Sequence, residues 1–163
     1  MSGVNVEPAS PHDLAAMEAL LTANQLPTAG LKDALRTALV ARVGSRTIGS
    51  VALEVYPSGV LLRSVAVDSA WRGRGIGHQL TRAGLDLARS LGAEAAYLLT
   101  TTAGDFFPRF GFTRVERADV PDDVTGSIEF RSACPSSALV MRAALNGQVD
   151  EVSWPGRSFG AGR

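Results

Sequence analysis

Apolar residues change their spacing several times along this chain, and each change marks an element. Val4 to Glu7 reads as a short strand. Ser10-Pro11-His12-Asp13 then offers a capping serine, a proline suited to the first helical position and an aspartate able to complete a capping box, so a helix is predicted to about Asn24. Leu26-Pro27-Thr28-Ala29-Gly30 breaks it, and Leu31 to Leu39 reads as a second, short helix. Val40 to Val43, Thr47 to Tyr56 and Val60 to Val67 follow as strands, separated by turns at Gly44-Ser45 and Pro57-Ser58-Gly59. Such a run is an antiparallel meander.

From Gly75 the period becomes helical. Ile76, Leu80, Ala83, Leu87 and Leu91 share one face, and Gly92 supplies the stop. Ala95 to Thr100 is a compact apolar strand, Ala103 to Phe110 a short helix ending before Gly111, and Phe112 to Glu116 and Ala138 to Arg142 the closing strands. After Leu145 the chain becomes NGQVDEVSWPGRSFGAGR, rich in glycine and polar residues. The expectation is one domain over residues 1–145 and a mobile tail over 146–163, with Trp154 and Phe159 as residues able to dock it.

Composition narrows the function class. A chain of 163 residues buries a core without disulfide or metal staples. Its 16 basic and 16 acidic residues cancel, which gives no support for binding nucleic acid or an anionic membrane. Cys134 stands alone and cannot form an internal disulfide, and MSGVNVEPASPHD lacks both a basic segment and an apolar segment of a secretory signal. A cytoplasmic protein is the expectation. No apolar run approaches membrane-spanning length.

The chemistry concentrates in WRGRGIGHQL, residues 71 to 80, where three glycines and two arginines precede the long helix. Unpaired amides and the positive end of the helix dipole suit a phosphate there, and glycine lets it approach closely. A nucleotide-hydrolysing loop needs Gly-Lys-Ser/Thr, which is absent. A dinucleotide fold needs a tight turn directly after the strand and a small third residue, whereas Asp68 to Arg74 intervene and His78 stands at that position. Arg72-Gly73-Arg74-Gly75-Ile76-Gly77 instead matches Q/R-x-x-G-x-G/A. With LLRSVAVDSAWRGRGIG before the helix, the chain resembles the GNAT family of acetyl-CoA-dependent N-acetyltransferases, to about Arg142.

That resemblance implies an α/β (α+β) GNAT fold: a mixed, mostly antiparallel sheet of six to seven strands with helices on both faces, splayed near its fourth and fifth strands. It implies that backbone amides from Arg72, Gly73, Arg74, Gly75, Ile76 and Gly77 hold the coenzyme A pyrophosphate. Val65, Ala66 and Val67 would pair with the pantetheine arm. LLTTTAGDFFPRFGF, VPDDV and ACPSSALVM bring the likeness nearer to the arsenic-resistance N-acetyltransferase subgroup, and more distantly to acetylglutamate synthase domains. Both imply a small amino-acid-like amine acceptor. Family members often dimerise, which makes a homodimer the candidate assembly.

One departure stands out. Many family members carry a tyrosine at the position of Phe107, and it protonates the departing thiolate; a phenyl ring has no proton to give. Thr101 and Tyr97, alternate residues of the fifth strand, are the hydroxyls at hand. Phe107 remains a coenzyme-binding candidate.

Acetyl transfer also requires that the acceptor ammonium lose a proton and that the thioester carbonyl be polarised. An N–H near Val65 or Ala66 serves the carbonyl if the strand is bulged there. Glu54, on one strand face with Ser50, Ala52 and Tyr56 in an otherwise apolar run, is the candidate base. Arg63 could fork onto an acceptor carboxylate, or could pair with Glu54 instead. Arg109 and Arg114 are weaker alternatives. His78 could touch a coenzyme phosphate, while neither it nor His12 has the neighbours of a metal site, and no metal is expected. Cys134 reads as a structural residue. The expected reaction is direct transfer in a ternary complex; the rivals are a non-catalytic acyl-CoA-binding module and a protein N-terminal or lysine acetyltransferase.

Overall fold

The computed structural model describes residues 3–133 and 137–145. Seven strands form one sheet: β1 (Val4–Pro8), β2 (Ala38–Val43), β3 (Arg46–Tyr56), β4 (Gly59–Val67), β5 (Ala95–Thr100), β6 (Thr113–Val115) and β7 (Leu139–Ala144). Their spatial order is β1-β2-β3-β4-β5-β7-β6, and every neighbouring pair is antiparallel except β4 with β5. Helix α2 (Ile76–Ser90) makes the crossover between that parallel pair.

Both faces of the sheet are buried, which is why its central strands read as nearly continuous apolar runs. On one face, Leu39, Val51, Leu53 and Leu62 meet Ile76, Leu80, Leu85 and Leu87 of α2. On the other, Val40, Ala52 and Ala66 meet Met17, Leu20 and Leu21 of α1 (Leu14–Ala23), and Leu61 and Tyr97 pack with Val124 of α3 (Asp122–Thr125). The strand alternation sends neighbouring residues to opposite layers. Helix α1 begins as expected after Ser10: its backbone N–H donates to Asp13 at 2.7 Å, and a short 3-10 turn over Pro11–Asp13 leads in.

Two predicted helices are corrected. Leu31 to Leu39 is a 3-10 segment only over Lys32–Thr37, because Ala38 and Leu39 already pair with β3. Thr37 marks the change, donating its hydroxyl to the Leu53 carbonyl at 2.6 Å. Ala103 to Phe110 is helical only as a 3-10 turn over Phe107–Phe110. Pro108 has no N–H to give and its ring blocks an α-helix through the preceding turn. The tail predicted over 146–163, with Trp154 and Phe159, lies outside the described residues, as does Cys134.

Candidate active site

The site begins with a defect in β4. Ala52 faces Arg63, but Ser50 faces Ala66, so Ser64 and Val65 together stand opposite Val51. That is the bulge expected near Val65. Ser64 carries the turn with φ 62°, a conformation that costs a non-glycine residue on the order of 1–3 kcal/mol. Two bonds hold it there. The wholly buried Ser50 hydroxyl donates to the Ser64 carbonyl at 2.7 Å, and Arg63 Nε donates to Ser64 Oγ at 2.9 Å. Pairing of β4 with β5 covers only Val60 to Ala96 and Leu61 to Tyr97, and beyond it the strands part.

The opening leads to a cavity of about 980 Å³ lined by Val65, Ala66, Val67, Arg72, Gly73, Gly75, Ile76, Gly77 and Phe107. Gly73 and Gly75 each have φ near 80°, so the loop's course requires glycine at both. Gly75 caps α2 without a side-chain bond, and Gly75, Ile76 and Gly77 at the start of the helix line the cavity. Arg74 is the one loop residue turned elsewhere: its guanidinium lies over the Trp71 ring at 4.7 Å. Arg72 Nη2 donates to Asn24 Oδ1 at 2.6 Å and ties the loop to the end of α1. His78 is exposed and stacks near Phe110 at 4.8 Å, and Arg109 lies over Phe106 at 4.8 Å; both line this cavity.

A smaller cavity of about 340 Å³ adjoins it, sharing Asn24, Val65, Thr102, Ala103 and Phe107. Thr101 lines it and is exposed, because β5 ends at Thr100 and the strand alternation ends with it. Phe107 is 7% exposed and packs edge-on to Phe106 and Phe112, at centroid distances of 5.1 and 5.8 Å. Tyr97 is corrected: it is buried against Leu61, Val120 and Val124, its hydroxyl accepts from Arg142 Nε at 3.4 Å, and it lines neither cavity. Arg114 lies on the exposed edge strand β6, away from both.

At the back of the small cavity sits Arg63, whose side chain is fully buried. Its Nη1 donates to Glu54 Oε2 at 2.8 Å and to the Ala29 carbonyl at 2.7 Å, and Nη2 donates to the Pro27 carbonyl at 3.2 Å. Nε also lies 3.3 Å from Glu129 Oε2. The fork assigned to an acceptor carboxylate is therefore already engaged, and the pairing of Arg63 with Glu54 is present. Glu54 faces a third cavity of about 540 Å³, with Gly30, Arg36, Tyr56, Ser127 and Ile128, on the far side of Arg63. Its carboxylate also accepts from the Tyr56 hydroxyl. Burial, reinforced by that bond, pushes the Tyr56 phenol well above its usual range, so it stays a donor. Glu54 thus reaches Arg63 but does not line the small cavity.

Glu129 is the residue that sequence reading missed. Its side chain is 5% exposed and it lines the small cavity, yet it comes from a π-helical turn (Glu129–Ala133) far along the chain from Arg63. The single sequence signal was a lone carboxylate in SIEFRSA. Among the described residues no group of three or more His, Cys, Asp or Glu could hold a metal ion. His12 lies exposed in the turn before α1. No helix among the described residues is long and apolar enough to cross a membrane.

Comparison with known proteins converges on this architecture. Residues 34–114 match the acetyltransferase (GNAT) domain family. The amino-acid acetyltransferase of Mycobacterium tuberculosis (strain ATCC 25618 / H37Rv) is 39% identical over 80 residues, 48% of this chain and 45% of that protein. The match thus spans less than half the length of that curated relative. Among solved structures, Rv2747 from Mycobacterium tuberculosis in complex with CoA and NLQ superposes with a TM-score of 0.72 at 25% identity, covering 86% of this chain and 98% of the other. N-acetylglutamate synthase from Neisseria gonorrhoeae, complexed with coenzyme A and N-acetyl-glutamate, shares the fold with a TM-score of 0.76 at 18% identity, over 88% of this chain and 35% of the other.

Proposed function

We propose that this chain, whose residues 34–114 match the acetyltransferase (GNAT) domain family, transfers acetyl from acetyl-CoA to the amine of a small amino-acid-like acceptor, by direct attack in a ternary complex. The observation that carries this reading is the bulge at Ser64, set where a coenzyme cavity meets a smaller one of about 340 Å³. Loop amides from Arg72 to Gly77 take the pyrophosphate at the α2 N-terminus. Val65 to Val67 take the pantetheine arm along the strand edge that β5 leaves open. An amide at Val65 or Ala66 polarises the thioester oxygen. The amine, once deprotonated, attacks the carbonyl carbon, the N–C bond forms and the C–S bond breaks.

Phe107 supplies no proton to the leaving sulfur. We assign Thr101, exposed at the shared cleft, to hydrogen-bond the thiolate while solvent protonates it. Glu54 and Arg63 act as positioning residues: together they hold the segment at Pro27 and Ala29 over the small cavity. The likeness to the arsenic-resistance subgroup places arsenical and phosphinothricin-like amino acids among the acceptors to try.

The test is release of coenzyme A thiol from acetyl-CoA by the purified protein, across amino acids, arsenical and phosphinothricin-like amino acids, polyamines and short peptides. Release with one amino-acid-like class supports the proposal. Acetyl-CoA bound without release by any of them supports the one competing reading that Phe107 favours, a non-catalytic acyl-CoA-binding module.

A further inference from the structure

Ser64 occupies the bulge of β4 at a cost that glycine would avoid. Its φ of 62° lies in the left-handed region, where a Cβ is strained and glycine is at ease. The backbone does not call for serine there: the bond from the Ser50 hydroxyl ends on the Ser64 carbonyl, which any residue has. What serine adds is a hydroxyl. The residue is 7% exposed, and because the bulge sets Ser64 and Val65 together opposite Val51, both line the small cavity beside Arg63.

A serine hydroxyl has one proton to donate and two lone pairs. Arg63 Nε fills one lone pair at 2.9 Å, and donation from a cation polarises the O–H and makes it a stronger donor. Satisfying Nε does not by itself account for the serine, since Nε also lies 3.3 Å from Glu129 Oε2. Among the described residues no hydrogen bond takes the Ser64 proton. A buried donor without an acceptor and a strained non-glycine angle each cost free energy, and here they coincide at the mouth of the coenzyme cavity.

Covalent geometry supplies the missing acceptor. With the thioester oxygen on the amide of Val65 or Ala66, the attacking amine stands beside the same stretch of β4. In an amino acid the carboxyl carbon is two bonds from that amine. We infer that Ser64 determines acceptor specificity: its hydroxyl donates to an oxygen of the carboxylate or carbonyl group next to the amine-bearing carbon. The inference rests on the transferase reading above and names the part of the acceptor that is read. Arg63, engaged with Glu54 and with the carbonyls of Pro27 and Ala29, orients the hydroxyl that binds this group.

Three acceptors that differ only at that group test it: L-methionine, L-methioninamide and 3-(methylthio)propylamine, which has hydrogen in place of the carboxylate. In thiol release the wild type is expected to prefer methionine, alone or with its amide, to the plain amine. Ser64→Gly, whose backbone suits φ 62°, and Ser64→Ala are each expected to cut that kcat/KM ratio by about tenfold or more, as for a hydrogen bond to a charged group. A loss confined to the acid assigns a carboxylate, and a loss shared with the amide assigns a carbonyl oxygen. A serine with only a structural role would move all three acceptors alike. In parallel, methionine and the plain amine are titrated against the amide signals of Val65 and Thr101, with and without coenzyme A, which reads the same preference without turnover. A Ser64→Gly ratio within about twofold of the wild type, a wild type that binds the plain amine as tightly as methionine, or no saturable shift with methionine overturns the inference. Failure of coenzyme A to shift the Gly73 to Gly77 amides would overturn the transferase reading instead, and the titration without coenzyme still decides the role of Ser64.

Discussion

Replacing Arg63 with methionine isolates what the buried guanidinium does. The substitution keeps much of the stem's volume but takes from Glu54 and Glu129, whose side chains are 13% and 5% exposed, the guanidinium that both of them approach. Removing one partner of a buried ion pair costs about 3–5 kcal/mol, mostly the penalty on the charge left behind. The carbonyls of Pro27 and Ala29 also lose their donors, each worth about 1 kcal/mol when water can partly replace them. Taking about 5–7 kcal/mol in total, and roughly 2–4 °C per kcal/mol for a domain of this size, Tm should fall by roughly 10–28 °C. Calorimetry at pH 7 reads it, and hydrogen exchange should show residues 26–30 opening faster than the rest. The decisive control is Arg63→Met combined with Glu54→Gln and Glu129→Gln. With no charge left to bury, at least half of the lost Tm should return. A single variant within 3 °C of the wild type, or a triple variant no better than the single one, refutes the claim that Arg63 is retained chiefly to neutralise these two acids.

Other outcomes follow from the same geometry. The Arg42 guanidinium, 2.7 Å from Asp13 Oδ1, holds the Asp13 carboxyl below its usual range. Its stabilising contribution is therefore complete above about pH 4 and lost as pH falls through the folded-state value. Urea unfolding of the wild type and Asp13→Asn between pH 3 and 6 should show a stability gap that closes at the acid end; a gap constant with pH counts against it. Gly75→Ala forces a Cβ into a left-handed cap with φ 80° and should cost about 1–2 kcal/mol while weakening acetyl-CoA binding, read by calorimetric titration and by Tm. Phe107→Tyr, at a ring lining both cavities, should raise the rate of thiol release; an unchanged kcat would mean that protonation of the thiolate does not limit turnover.

Much of this protein is written locally. The long helix, the meander and the glycine loop were legible because each depends on neighbours in sequence: a period of apolar residues, a turn, two backbone angles that only glycine adopts easily at Gly73 and Gly75. The bulge was anticipated through family resemblance, and its place at Ser64 came from the register with β3. What misled the reading was also local in origin. Leu31 to Leu39 has helical residues, but pairing of Ala38 and Leu39 with β3 overrides that propensity. Strand alternation places Glu54 correctly on a face, yet alternation says nothing about what else arrives on that face, and its pairing with Arg63 became visible only in the fold.

By itself, then, the sequence determined most of the elements, the glycine loop before α2 and the likeness to an acetyl-CoA enzyme, since these follow from short-range geometry and spacing. Only the tertiary structure decided what surrounds Arg63 at the back of the small cavity. Arg63, Glu54, Glu129 and the carbonyls of Pro27 and Ala29 come from separate segments, and they meet only once α1, the sheet and the turn at Glu129 have packed. Such a meeting is made by long-range packing, and no window of sequence contains it.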